Sequence, residues 1–196
     1  MLKKWLAVLA VSTSLLSLSG CGYNTMQAQD EAANACLSEV VNQYQRRADL
    51  IPNLVNTVKG YATHEESVLT QVTNARAKVG SVQMNSNDAT DSEKLKQYGQ
   101  AQGELSSALS RLLVVTENYP NLKADQNFRD LQAQLEGTEN RIGLARNNHI
   151  KTIQVYNTTL RQFPNNITAK IFSMKIRPNF TVENEKAIST SPKVQF

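Results

Sequence analysis

Residues able to do metal or acid–base chemistry are few in this chain, and their spacing is poor for it. The segment His64-Glu65-Glu66 begins like a zinc peptidase motif, in which two imidazoles one helical turn apart grip the metal. Val68 stands where the second imidazole must be. A second histidine, His149, lies far along the chain, and neither His64 nor His149 has the glutamate three residues earlier that a di-iron bundle site uses. No GxSxG, Walker A or GxGxxG sequence is present. An enzyme is therefore not expected, and neither a cofactor nor a metal is called for. Arg47, Gln102 and His149 are instead polar residues that fall on otherwise apolar helical stripes. Such a polar seam can serve as a ligand pocket inside a bundle or as a layer that fixes helix register, and a buried arginine needs a carboxylate partner or a route to solvent.

One thiol has a clearer chemistry. Lys3 and Lys4 precede a mostly apolar run from Trp5 to Leu18, and Leu18-Ser19-Gly20-Cys21 closes it. This is the layout of an export signal, and the run is short of the roughly 17–25 apolar residues a spanning helix needs. The last four residues resemble a bacterial lipobox, whose cysteine takes a diacylglyceryl group as the signal is cut before it. Residues 1–20 are thus expected to be a cleaved lipoprotein signal peptide, and residues 21–26 a lipidated N-terminus and short tether. Two or three acyl chains, each contributing about 0.8 kcal/mol per buried CH₂, hold where one would not. With Gly22 and not Asp after the cysteine, a Gram-negative cell would sort the protein to the outer membrane, facing the periplasm. Elsewhere it would sit on the outer face of the plasma membrane.

Loss of the leader leaves 176 of the 196 residues, enough for one domain with a core, and removing Lys3 and Lys4 takes the formal charge from +4 to +2. No basic block or basic–aromatic interleaving suggests nucleic acid. The two cysteines cannot form a disulfide framework if Cys21 is acylated, and Cys36 reads as a small packed residue. The sequons at Asn166 and Asn179 carry no weight in a bacterial lipoprotein.

The elements that hold these residues read as helices from 27 to 163. Leu37, Val40, Tyr44, Arg47, Ile51, Leu54, Val58 and Tyr61 recur at spacings of three and four, the seam of a packed helix. Pro52 removes one hydrogen bond to Ala48 and predicts a kink. Thr63 and Glu66 fit a capping box for a second helix over 64–79, and residues 80–91 read as a loop. Asp91 caps a third helix, with the seam Leu95, Tyr98, Gln102, Leu105, Leu109, Leu112 and Thr116. After the break at Pro120, one long helix over 122–162 repeats every seven residues through Phe128, Leu135, Ile142, His149, Tyr156 and Phe163, and would be about 60 Å long. The expected fold is all-α: an elongated antiparallel four-helix bundle with coiled-coil-like seams, and an irregular C-terminal tail over 164–196.

Several blocks carry a family resemblance: Arg46-Arg47-Ala48-Asp49-Leu50-Ile51-Pro52-Asn53-Leu54-Val55, then Val58-Lys59-Gly60-Tyr61 and His64-Glu65. Further on come Thr116-Glu117-Asn118-Tyr119-Pro120, Glu136-Gly137-Thr138-Glu139-Asn140-Arg141-Ile142, Ala145-Arg146, Tyr156-Asn157 and Phe163-Pro164. In this order the sequence resembles the LemA family over nearly the whole mature chain. The resemblance implies a membrane-tethered helical bundle without an agreed biochemical activity, and partners among envelope proteases or TPM-domain proteins. Many family members keep an uncleaved N-terminal membrane segment where this chain has a lipobox, and Asn179 replaces an aromatic expected before Phe180. Arg46, Asn53 and Asn56, with Asn42 and Asp49, form an amide-rich helix face that is either solvated or docks an envelope partner. The expected function is a non-enzymatic membrane-tethered scaffold or adaptor; a ligand-binding or sensing module using the polar seam is the alternative.

Overall fold

A computed structural model describes the backbone of residues 2–62, 64–84 and 86–179, with side chains from Gly22 onward except at 86 and 87. Cys21, Thr63 and the tail beyond Asn179 lie outside the residues whose side chains are described, and with them the lipid-attachment and capping-box expectations. The elements are α1 (Leu2–Lys59), α2 (Glu66–Ser81), a 3-10 turn (Ser86–Thr90), α3 (Ser92–Thr116), α4 (Pro120–Ala124), α5 (Gln126–Arg161) and α6 (Asn165–Ile171). The described residues are all-α, without a strand, and α1, α2, α3 and α5 form an antiparallel four-helix bundle. Among the described residues no helix is long and apolar enough to cross a membrane.

Side-chain pairs fix the register. Lys78 with Glu104, and Arg111 with Gln71, set α2 antiparallel to α3, while Tyr61 with Asp125 and Cys36 with Thr152 set α1 antiparallel to α5. The expected seams are buried, from Leu37 to Val58 on α1, Leu95 to Thr116 on α3 and Phe128 to Tyr156 on α5. Three apolar clusters follow one another along the rod. The first, around Leu54, Val72, Leu105, Leu112 and Phe128, is where all four helices meet. The second lies around Val40, Tyr98 and Ile142, and the third joins Met26, Tyr156, Leu160 and Ala169 where α2 and α3 no longer reach.

Pro52 does not end α1. It leaves the Ala48 carbonyl without its helical donor, and Arg76 Nε of α2 supplies one at 3.0 Å. The break in one helix is thereby met by a hydrogen bond from its neighbour. Asp91 caps α3 as expected, accepting from the Glu93 and Lys94 amides, a cap of about 1 kcal/mol.

Several expectations need correction. The long C-terminal helix is divided: α4 stops at Ala124, and Asp125 caps α5 by accepting from the Phe128 amide at 3.0 Å. The same carboxylate accepts from the Tyr61 hydroxyl at 3.0 Å, so Tyr61 is an exposed latch at the bundle end and not the last seam residue. The α2 helix begins at Glu66 and runs on to Ser81, and part of the expected 80–91 loop is the 3-10 turn. Met26 is fully buried, so the chain is already packed within the stretch expected to be a tether. Phe163 is 79 % exposed, because α5 ends at Arg161 and the heptad ends with it. Beyond it the chain forms α6 before becoming irregular at Phe172.

Candidate binding groove and the C-terminal clasp

Arg47 occupies a seam position of α1, between Tyr44 and Ile51, so the helix directs its side chain into the bundle. Only 1 % of it is exposed. Its Nη1 donates to Ser106 Oγ at 2.6 Å and to Glu139 Oε1 at 2.7 Å. Its Nη2 donates to the Gln102 backbone oxygen at 3.1 Å and to Gln102 Oε1 at 2.5 Å. The guanidinium lies 5.1 Å from the centre of the Tyr44 ring, which meets Tyr98 edge-on at 5.6 Å. One cation thus ties α1 to α3 and α5. Burial raises the Tyr44 hydroxyl and pushes that of Tyr98 up to about 12, so both stay protonated.

The Glu139 carboxylate is 47 % exposed and opens the cluster to solvent. It borders a groove of about 1050 Å³ that follows both flanks of α3, from Gln71 and Lys78 of α2, past Gly99 and Gly103, to Glu139 and Arg146 of α5. Arg47 and Gln102 reach its floor. Gly103 faces open space there, since a Cβ on it would meet nothing within 4 Å. Arg47 Nε is buried with no acceptor among the described residues. The groove suits a polar ligand or peptide bearing acceptor groups.

His149 does not join this cluster. It is buried further along α5, and its imidazole is lowered to about 4 by burial and, secondarily, by Arg177. It stays neutral at ordinary pH. Near it lies a clasp that sequence reasoning missed. Arg177, only 5 % exposed, donates from Nε to Asp30 at 2.6 Å and from Nη1 to Asn34 at 2.9 Å. The Asn157 amide exchanges hydrogen bonds with the Arg177 backbone, both at 2.9 Å, and Tyr156 donates to the Lys175 carbonyl. The hydrogen bond from Arg177 holds Asp30 below the usual carboxylate range.

Arg46, Asn53 and Asn56 are all exposed, in one stripe with Asn42, Asp49 and Pro52 along the outside of α1. They lie apart from the groove. Cys36 is half-buried at the α1–α5 seam with Thr152 Oγ1 3.4 Å from its sulfur, less enclosed than expected. No cluster of three or more metal-ligating side chains occurs among the described residues. Glu139 was the missing partner for Arg47. The register that pairs Tyr61 with Asp125 is the one that sets Glu139 opposite Arg47, so its signal was pairing and not periodicity.

Two magnetosome proteins of Paramagnetospirillum magneticum, MamQ 1 and MamQ 2, are each 25 % identical to this chain over 169 residues, covering 78 % of it and 62 % of the relative. The magnetosome protein MamQ of Magnetospirillum gryphiswaldense is 24 % identical over 186 residues, covering 87 % of this chain and 67 % of the relative. The chain thus spans about two thirds of the length of these relatives. The LemA family model matches residues 36–196, which takes in the Arg47 cluster, the groove and the Arg177 side of the clasp, while Asp30 and Asn34 fall just before it. With its helical bundle and these sequence blocks, the chain belongs to the LemA family.

Proposed function

We propose that this LemA-family protein is a bacterial cell-envelope lipoprotein, anchored through Cys21 once residues 1–20 are removed, that works as a non-enzymatic helical adaptor. Its partner is an envelope protein, with membrane proteases and TPM-domain proteins as candidates, and in a Gram-negative cell it faces the periplasm from the outer membrane. One observation carries this reading: the outer stripe of α1, with Arg46, Asn53 and Asn56, stays exposed while the opposite face of the helix completes the core. A helix already stabilised by its inner face can lose or gain contacts outside at little cost to folding. The naming of the relatives as magnetosome proteins supports a membrane-associated place for this chain.

The test is crosslinking and co-purification from native membranes. Joint replacement of Arg46, Asn53 and Asn56 by alanine is expected to abolish partner recovery and leave the thermal melt unchanged, and Cys21→Ser is expected to release the protein from the membrane. Partner recovery that survives the triple replacement contradicts the adaptor face.

The groove floored by Arg47 and Gln102 favours a second reading, the binding or sensing of a polar ligand. Gly103→Leu fills the groove without a clash at Cβ and improves helix propensity. A ligand retained by the purified protein and lost in Gly103→Leu would favour sensing over adaptor work.

A further inference from the structure

The end of the rod that carries α6 presents a set of side chains the bundle leaves uncovered. Phe163, Ile167, Ile171, Phe172 and Ile176 are each more than half exposed, within a stretch of fourteen residues. Core formation accounts for only one side of this stretch. Thr168 and Ala169 pack inward, and Arg177 pins the segment that follows to α1. Isolated exposed apolar residues are ordinary; a concentration of five with two phenylalanines is not.

The position of the patch identifies what covers it. Asn165, the first residue of α6, approaches Gly22 so closely that its side-chain oxygen would collide with a Cβ placed on Gly22. Phe172 packs on Tyr23, with ring centres 4.5 Å apart. The patch therefore adjoins the first two residues after Cys21, where the apolar N-terminal run joins the bundle. Its charge points the same way. From Leu160 to Phe180 the sequence contains no acidic residue, and Arg161, Lys170 and Lys175 are exposed around the apolar side chains. Apolar and aromatic side chains fringed by lysine and arginine are the composition of a surface that enters the headgroup region of an anionic bilayer.

We propose that α6 and the segment after it, through Phe163, Ile167, Ile171, Phe172 and Ile176, form a second membrane contact that lies in the lipid interface beside the N-terminal anchor. This rests on the reading of the N-terminus as the anchor. Two contacts at one end hold the rod at a set angle to the bilayer, where a tether alone would let it swing, and they keep the groove and the α1 stripe away from the lipid.

The test uses the mature acylated protein, purified from membranes, in vesicles of phosphatidylethanolamine and phosphatidylglycerol with bromine-labelled acyl chains. Trp5, the sole tryptophan of the sequence, leaves with residues 1–20. A single reporter is then placed by Phe172→Trp or, near the opposite end of the bundle, by Val114→Trp, a site 70 % exposed. Phe172→Trp is expected to shift its emission to the blue and lose intensity to the bromolipid, and Val114→Trp to do neither. If the protein sediments with the vesicles but Phe172→Trp is unquenched, the contact is overturned and the anchor stands. A blue shift without quenching assigns the patch to a protein neighbour and overturns the lipid assignment. If the acylated protein does not sediment with vesicles, the anchor and the contact both fall.

Discussion

Two buried arginines lie in different regions of the described molecule, Arg47 in the middle of the bundle and Arg177 at the end that carries α6, and they are held in different ways. Arg47 comes from a regular helix and is gripped by side chains of α3 and α5, inside the part of the rod where four helices meet. Arg177 comes from an irregular segment and reaches back to Asp30 and Asn34 of α1, with only α1, α5 and α6 around it. The first joins elements that apolar packing already holds together. The second holds a segment with little apolar packing of its own. The same side chain thus serves as a register pin in the middle of the bundle and as a fastener at its α6 end. The two regions should respond differently when each is removed.

The largest effect is expected at Arg47. Arg47→Ala leaves a cavity and strips Glu139 and Gln102 of their donor, and should lower unfolding stability by about 3 kcal/mol in a denaturant titration. Arg47→Met, which fills the same space without charge, should stay within about 1 kcal/mol of the parent. If both variants lose equally, the ion pair matters more than its volume and the register-pin view fails.

Acid should act mainly on the clasp end. The unfolded chain protonates His149 near 6.5, whereas the folded chain resists until about 4. Below 6.5 the unfolded state binds the additional proton, so stability should fall as pH drops from 6.5 to 4, by up to ~3 kcal/mol. Asp30, held low by Arg177, adds a loss in the same direction as pH falls further through its own titration. Unfolding measured against pH, with His149→Gln as control, should show the first part of this slope removed.

Loss of the fastener should be smaller and local. Arg177→Ala is expected to cost about 1–2 kcal/mol overall, and to raise hydrogen exchange in α6 and residues 172–179 while exchange around Leu105 and Leu112 stays unchanged. The smallest change concerns Ser173, whose φ of 54° closes α6 in a left-handed conformation. Ser173→Gly should stabilise by roughly 0.5–1 kcal/mol, read from the same denaturant titration.

How far these two regions can be read in the sequence follows from how they are built. The seams on α1, α3 and α5 are periodic, so Arg47 and Gln102 are recognisable as buried polar residues, and the need of Arg47 for a carboxylate follows from the cost of burying charge. Glu139 is not recognisable in that way, because it flanks the α5 seam and its role depends on the register between helices. Asp125 carries a local signal, an aspartate three residues before a buried phenylalanine, but the heptad on either side masks it. Arg177 and α6 have no period at all. Their order comes from contacts with residues more than 140 positions earlier, at Asp30 and Asn34.

The adaptor reading is tested most directly by a photo-crosslinking side chain placed at Asn53 on the α1 stripe, with the same group at Gly103 in the groove, each in cells with intact membranes. The account predicts a discrete protein adduct from Asn53 that disappears when Arg46 and Asn56 are also replaced, and none from Gly103. Adducts formed from Gly103 alone would contradict it and move the recognition surface into the groove.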